Sequence, residues 1–230
     1  MKSIIMLNQS STEPAQVPGI VVLRDSITPD EQLRLIDIVE KKQGLKDSES
    51  KWNFFGKRGR HFSSLNKYEE SDYNFLAEIC AKLKIKTEEL DSTLKWYPVT
   101  HMLTLWYPDA NGMGWHTDSY GGNDGDEGAP VYSLTIGNTC IFEYKLVGTK
   151  EKQSVILASG DLIVFGGPQR LMAHSVKKVI PGSFKLKENF DARINLTFRT
   201  CSDLSEADEQ AFRTDNYVEK LKTKWTQKTK

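Results

Sequence analysis

The chain is poor in several residue types, and each shortage excludes something. Its 230 residues include three cysteines, Cys80, Cys140 and Cys201, which are far apart and odd in number. That argues against a disulfide framework or a cysteine-built zinc cluster, and for reduced thiols in an intracellular protein. Neither sign of charge is in surplus: 31 basic side chains balance 31 acidic ones. Any grip on a polyanion must then come from local patches rather than from the field of the whole chain. Long apolar runs are missing as well. Ile4-Ile5-Met6-Leu7 is too short for a secretory signal, and nothing later approaches a membrane span. An intracellular monomer without membrane contact is expected. At this length one core, burying about 70% of the unfolded surface, suffices.

What is present is concentrated in one segment, Arg193-Ile194-Asn195-Leu196-Thr197-Phe198-Arg199. Read with the two-residue period of a strand, Arg193, Asn195, Thr197 and Arg199 share one face and Ile194, Leu196 and Phe198 the other. A face with two arginines, an amide and a hydroxyl is costly to bury without an anion. A small dianionic ligand held by charge-assisted bonds from two guanidinium forks is the simplest reason for it. An exposed strand with a wet polar face is the plainer alternative.

Histidine is scarce: the chain has only His61, His101, His116 and His174. In His116-Thr117-Asp118 the imidazole and the carboxylate are two apart, so on a strand they project together. His174 follows 58 residues later, just past an apolar run. Two imidazoles and one carboxylate meeting at a point form the face that holds non-haem Fe(II) and leaves coordination positions open. Taken singly, each histidine reads as easily as a surface or core residue. The order of H-x-D, a distant His and then an arginine about 20 residues on is much more specific.

The rest of the chain divides by pattern. Residues 1–18 are polar with two prolines and read as a loose segment. A strand over 20–24 follows, then a helix start at Thr28-Pro29-Asp30-Glu31, with a cap, a proline at the first helical position and a Glu three residues after the Thr. Leu33, Ile36 and Val39 predict its buried stripe, and Gly44 its end. A second helix is predicted over 71–84, with Phe75, Leu76, Ile79 and Leu83 inward. From about residue 96 short strands dominate: 100–107, 131–136, 139–144, 154–157, 161–165 and 193–200, with turns at 108–114 and a Gly- and Asp-rich loop at 119–128. Many short strands separated by turns predict a closed sandwich or jelly roll. The predicted plan is a mainly β protein with flanking helices. Residues 19–95 supply helices that buttress the major sheet, 96–202 the β core, and 203–230 a basic tail, helical or disordered; 19–202 make one globular domain.

These motifs resemble the AlkB-type Fe(II)/2-oxoglutarate dioxygenases, over roughly residues 98–200. The resemblance is carried by Tyr107-Pro108, His116-Thr117-Asp118, the run from Ala129 to Gly137, Gly160-Asp161-Leu162-Ile163-Val164-Phe165-Gly166-Gly167, Arg170-x-x-x-His174 and Arg193-x-Asn195-Leu196-Thr197-Phe198-Arg199. It implies a double-stranded β-helix with a metal in its mouth. It implies that His116, Asp118 and His174 are the iron ligands and the catalytic set. It also implies that Arg193, Tyr107, Asn195 and Arg199 surround the 2-oxoglutarate co-substrate. The implied reaction uses Fe(II), 2-oxoglutarate and O2 to demethylate N-alkylated bases of DNA or RNA, releasing formaldehyde, succinate and CO2. A related dioxygenase acting on a protein or small molecule is a second reading, and a non-enzymatic nucleic-acid reader a third.

Two positions depart from the family pattern. Where the family has Asn-x-Tyr, this chain has Leu105-Trp106-Tyr107, so one polar contact to the co-substrate is missing or comes from elsewhere. Two residues after the metal aspartate, where many repair members carry an acid that meets the damaged base, stands Tyr120. Asp124, Asp126 or Glu127 in the following loop could substitute. Family members place a substrate lid near residues 51–64. Here that stretch interleaves aromatics and cations, Trp52, Phe54, Phe55, Arg58, Arg60 and His61, which suits a flexible lid that stacks on bases and touches phosphates; a surface loop with a few aromatics tucked into the core is the alternative. These six and Tyr120 are the candidate substrate contacts. The lysines of the tail, Lys220, Lys222, Lys224, Lys228 and Lys230, can grip a phosphate backbone or form a solvated helix end.

Overall fold

The computed structural model describes residues 17–43, 53–55, 58–94, 99–118 and 129–200. The readings placed on residues 1–16, on Gly44, on the loop 119–128 and on the tail 203–230 lie outside these residues. The strand β1 (Ile20–Leu23) leads into the helix α1 (Pro29–Gln43). The capping box forms as the motif predicts. The Glu31 backbone N–H donates to Thr28 Oγ1 at 3.2 Å, and the Thr28 N–H donates to Glu31 Oε2 at 2.6 Å. The buried stripe is wider than predicted: Leu35, Ile36, Ile38 and Val39 are buried, whereas Leu33 is only half-buried. A helix lying on a sheet buries a stripe more than one residue wide, so positions on both sides of Ile36 turn inward.

The hairpin strands β2 (Asn53–Phe55) and β3 (Arg58–Ser64) come next, then the helix α2 (Glu70–Leu90). This helix runs six residues past its predicted end, because Ile85 and the buried Thr87 keep an inward face beyond Lys84. The remaining strands are β4 (His101–Tyr107), β5 (Asn111–His116), β6 (Val131–Gly137), β7 (Cys140–Lys145), β8 (Gln153–Leu157), β9 (Leu162–Phe165), β10 (Ala173–Val179) and β11 (Arg193–Arg199). They form a seven-stranded sheet, ordered β1-β9-β6-β11-β4-β3-β2, and a four-stranded sheet, ordered β5-β10-β7-β8. All pairings are antiparallel. The mainly β plan with two buttressing helices is therefore present.

Two apolar clusters explain the layers. In one, Leu35, Ile36, Leu76, Ile79 and Leu83 of the helices pack on Leu134, Ile136, Leu162, Val164, Ile194, Leu196 and Phe198 of the large sheet. The other lies between the sheets, where Val131, Ile163 and Phe165 meet Phe142, Tyr144, Val155, Leu157 and Val176. Alternation along each strand sends one set to each cluster. Every residue of β11 is buried. The polar face of that strand therefore looks into the sandwich rather than into solvent, and the exposed-strand alternative is excluded.

Three sequence readings are corrected here. The stretch over 51–64, read as a flexible lid, instead carries β2 and β3, and β3 pairs with β4 from Gly59 to Ser64. Pairing with β4 on one side and the burial of Gly59, His61 and Ser64 anchor it in the sheet. The predicted turn at 108–114 is shorter, because Asn111–Gly114 already belong to β5. Gly112 is there for close approach, not for turning: a Cβ on it would lie 1.7 Å from the Val176 carbonyl oxygen. Finally, Ala173–Val179, the strand that carries His174, was not predicted. Its charged Lys177 and Lys178 interrupt the apolar signal.

Candidate active site

The site lies between the sheets, in a cavity of about 540 Å3. Register brings its histidines together. His174 of β10 is the cross-strand partner of His116 of β5, and the ring centroids are 4.3 Å apart. Pairing then slips, since the next matched pair is Val176 with Met113. The extra residue on β5 is a bulge, and it re-aims the chain. Met113 and His116 are three apart, yet both line the cavity, while Trp115 between them is exposed. A regular strand would not have placed His116 inside.

His116 ends its strand, so Asp118 stands in the segment after it. The pair does not converge by strand alternation, as the H-x-D spacing suggested. Two arginines position the aspartate. Arg170 Nη1 donates to its backbone carbonyl at 2.5 Å, and Arg199 Nη2 donates to Oδ2 at 3.2 Å. Oδ1 lies 3.8 Å from His116 Nε2.

Ligand atoms of His116, Asp118 and His174 all fall within 4.8 Å of one another, close enough for one ion to draw them together. The imidazole hydrogen bonds suit that use. His116 Nδ1 is 2.9 Å from the Gly114 carbonyl and His174 Nδ1 is 3.0 Å from the Met172 carbonyl. A carbonyl only accepts, so each Nδ1 carries the proton and each Nε2 keeps its lone pair. Burial lowers the His174 pKa, which favours the neutral ring that a metal needs. Phe142 and Phe165 flank this ring at 5.4 and 5.1 Å between centroids.

Behind the cavity wall sits Arg193, fully buried. Its Nη2 donates to Asn195 Oδ1 at 2.7 Å and to Thr135 Oγ1 at 3.1 Å. Its Nε and Nη1 have no hydrogen-bond partner, and no carboxylate of the described residues pairs with it. A buried guanidinium with orphaned donors is the strongest call for an anion in the molecule. Tyr107 places its ring 5.0 Å from this guanidinium, and burial pushes the hydroxyl pKa up, so it remains a donor. Asn195 also accepts from Ser133 Oγ at 3.0 Å and donates to Thr197 Oγ1 at 2.7 Å. The donor set therefore fits both a divalent ion and a carboxylate ligand beside it.

The predicted residues distribute as follows. His116, Asp118, His174, Tyr107, Asn195 and Arg199 line the cavity, as do Arg58 and Arg60, while Arg193 lies just behind. Arg199, expected at the co-substrate, contacts the Asp118 carboxylate. His61 is buried on the other side of β3 and does not line the cavity, so the lid assignment fails for it. Trp52 and Tyr120 lie outside the described residues, and Phe54 and Phe55 are placed only as backbone in β2. Leu105, at the departure from the family pattern, lines the cavity opposite Asn195 and Arg60. Ser133 and Thr135 were not singled out from sequence; two hydroxyls at alternate positions of the otherwise apolar β6 were the available signal.

The comparisons with known proteins agree with this geometry. The family model described as the 2OG-Fe(II) oxygenase superfamily matches residues 21–199. A DNA N(6)-methyladenine demethylase, ALKBH1D of Arabidopsis thaliana, is 26% identical over 86% of this chain and 55% of its own length. An alpha-ketoglutarate-dependent dioxygenase AlkB homolog of Caulobacter vibrioides is 38% identical over 44% of this chain and 45% of its own. The chain thus spans about half the length of the curated relatives it matches. Among solved structures, OsALKBH1 superposes with a TM-score of 0.66 at 20% identity, covering 80% of this chain and 99% of that one. An oxygenase from Burkholderia pseudomallei gives 0.54 at 13%, covering 79% and 83%. These two likenesses show the shared jelly-roll fold. Because the family model spans both sheets and every residue of the triad, the chain belongs to the 2OG-Fe(II) oxygenase superfamily.

Proposed function

We propose that this protein is an Fe(II)/2-oxoglutarate-dependent dioxygenase that removes alkyl groups from the bases of nucleic acid. The observation that carries the reading is the pairing of two centres. Three metal-competent side chains lie beside a buried arginine that lacks an anion. The AlkB names of the relatives support the base substrate. Each of those relatives is only half covered, so the substrate remains a proposal for this chain.

In this reading His116 and His174 would hold the metal through Nε2 and Asp118 through a carboxylate oxygen. Arg199 holds Oδ2 and so presents the other oxygen. Arg193 would receive the far carboxylate of 2-oxoglutarate; Tyr107 lies beside its guanidinium and Asn195 holds it in place. Phe142 and Phe165 exclude water around the His174 ring. When bound, iron with dioxygen and 2-oxoglutarate supplies the oxidation: the keto acid loses CO2 to become succinate, and one oxygen atom enters a C–H bond of the substrate. On an N-methyl group the product is an unstable hemiaminal, which releases formaldehyde and leaves N–H. A base inside a duplex must first leave the stack to reach a cavity between two sheets. Arg58 and Arg60, both on β3, line that cavity.

The test is a paired assay. Purified protein with Fe(II), 2-oxoglutarate and methylated oligonucleotides should form succinate and formaldehyde together. Succinate that no methylated DNA or RNA stimulates would overturn the nucleic-acid reading and favour a protein or small-molecule substrate. No succinate under any condition would leave only a binding role.

A further inference from the structure

The catalytic cavity carries an excess of positive charge that the metal and co-substrate do not use. Three guanidinium groups line it, from Arg58, Arg60 and Arg199. Among the described residues its one carboxylate is Asp118, which Arg199 already engages. Neither Arg58 nor Arg60 pairs with a carboxylate of the described residues. Arg58 cannot swing away freely, because its Nη1 donates to the Gly112 carbonyl at 2.7 Å. Arg60 is the cross-strand partner of Leu105, whose other neighbour is Asn195. Both arginines thus rise from the strand that walls the site. The remaining wall is apolar, with Leu103, Leu105, Met113, Phe142, Phe165 and Val176.

A divalent ion against Asp118 leaves one positive charge, and a dicarboxylate against Arg193 leaves one negative charge. These cancel. The guanidinium groups of Arg58, Arg60 and Arg199 remain; Arg199 is buried, Arg58 half-buried and Arg60 exposed, so solvent screening is weakest at Arg199 and Arg58.

We propose that this cavity selects neutral alkylated bases and disfavours cationic ones, with Arg58 and Arg60 as the discriminating residues. The inference rests on the base-dealkylation reading and narrows its substrate class. Methylation of an exocyclic amine or an imide nitrogen, as in N6-methyladenine or N3-methylthymine, leaves the base neutral. Methylation of the pairing-edge ring nitrogen of adenine or cytosine, as in N1-methyladenine or N3-methylcytosine, gives a cation near neutral pH. A cationic base entering this cleft meets like charge and, among the described residues, no carboxylate that Arg199 does not already engage, so its desolvation goes uncompensated there. Its exocyclic nitrogen also presents a donor to guanidinium donors. A neutral base offers carbonyl or ring-nitrogen acceptors, which those donors satisfy.

Competition in one tube tests this. Two oligonucleotides of the same sequence, one with N6-methyladenine and one with N1-methyladenine, are mixed at equal concentration with enzyme, Fe(II) and 2-oxoglutarate. Loss of each is followed by mass spectrometry. N3-methylthymine against N3-methylcytosine is the second pair. The neutral member of each pair should be consumed faster, by on the order of tenfold. Arg58→Gln and Arg60→Gln should each move the ratio toward parity, and Arg60→Glu should move it furthest. The ratio is internal to each tube, so a partly unfolded variant still reports it. Equal or faster loss of the cationic members overturns the selectivity alone. So does a uniform slowing of both members with the ratio unchanged, which would make the arginines backbone contacts. Turnover of none of the four overturns the dealkylation reading and the selectivity with it.

Discussion

Arg199 Nη2 lies 3.2 Å from Asp118 Oδ2, and this bond leaves Oδ1 free on the side of His116, 3.8 Å from its Nε2. An aspartate just past a strand end would otherwise be free to rotate both oxygens. The arginine comes from β11 on the opposite sheet, so the metal face closes across the sandwich.

Removing that bond should weaken the metal before anything else. Arg199→Gln is expected to lower Fe(II) affinity by about 10- to 100-fold, the range for loss of a partner that orients a metal ligand. Asp118→Ala should abolish turnover. Anaerobic metal titration of both variants, followed by absorbance with 2-oxoglutarate present, checks the order. A native metal affinity in Arg199→Gln would show that the bond does not orient the carboxylate.

Arg193 should separate from this behaviour. Arg193→Ala removes a buried charge behind the cavity and leaves the triad untouched, so metal affinity should change little while the KM for 2-oxoglutarate rises. A bidentate or charge-assisted contact is worth about 1.5–3 kcal/mol, which corresponds to roughly 10- to 150-fold. Steady-state succinate formation across a 2-oxoglutarate series reads it. The empty variant should also be no less stable than the wild type without ligand, since an uncompensated buried cation is itself a cost.

Gly112 is predicted to be intolerant of any side chain. A Cβ placed 1.7 Å from the Val176 carbonyl oxygen meets backbone, which cannot move without breaking β5 from β10. Gly112→Ala should lower stability by about 2 kcal/mol or more, the range for overpacking. It should also weaken metal binding, because the same pairing sets His116 against His174. Thermal unfolding with and without metal tests both parts; a variant with native melting and native metal affinity would contradict the register argument.

Glu31 serves two elements at once. Its carboxylate caps α1 through Thr28 and also receives Lys82 Nζ of α2 at 2.6 and 2.9 Å, where the lysine side chain is only 4% exposed. Glu31→Gln can keep the cap but removes one charged partner of the ammonium. Since Glu31 itself is partly exposed, the loss should be about 2 kcal/mol, below the range for a fully buried pair. Denaturant unfolding measures it. Thr28→Ala, which removes only the cap, should cost about 1 kcal/mol.

Some of this was legible residue by residue. The capping box at Thr28–Glu31, the inward and outward sets of β11 and the early part of α2 follow from local chemistry and periodicity, which act within a few residues. The failures share a cause. The lid that proved to be β2 and β3, the unpredicted β10, and His61 turned into the body all depend on which strand a segment pairs with. A glycine- and charge-rich stretch becomes a strand only when a partner such as β4 offers its backbone.

The chain's own order of residues determined the donor types: two imidazoles, a carboxylate and an arginine-bearing polar strand, chemistry that hardly varies with context. Tertiary structure alone decided their convergence. A bulge in β5 brought His116 inside, β10 set His174 against it, and β11 reached across from the other sheet to hold Asp118. Such placement arises between segments far apart in the chain, as with Asp118 and Arg199, 81 residues apart, and strand register is settled by the packing of two sheets together rather than by any local preference.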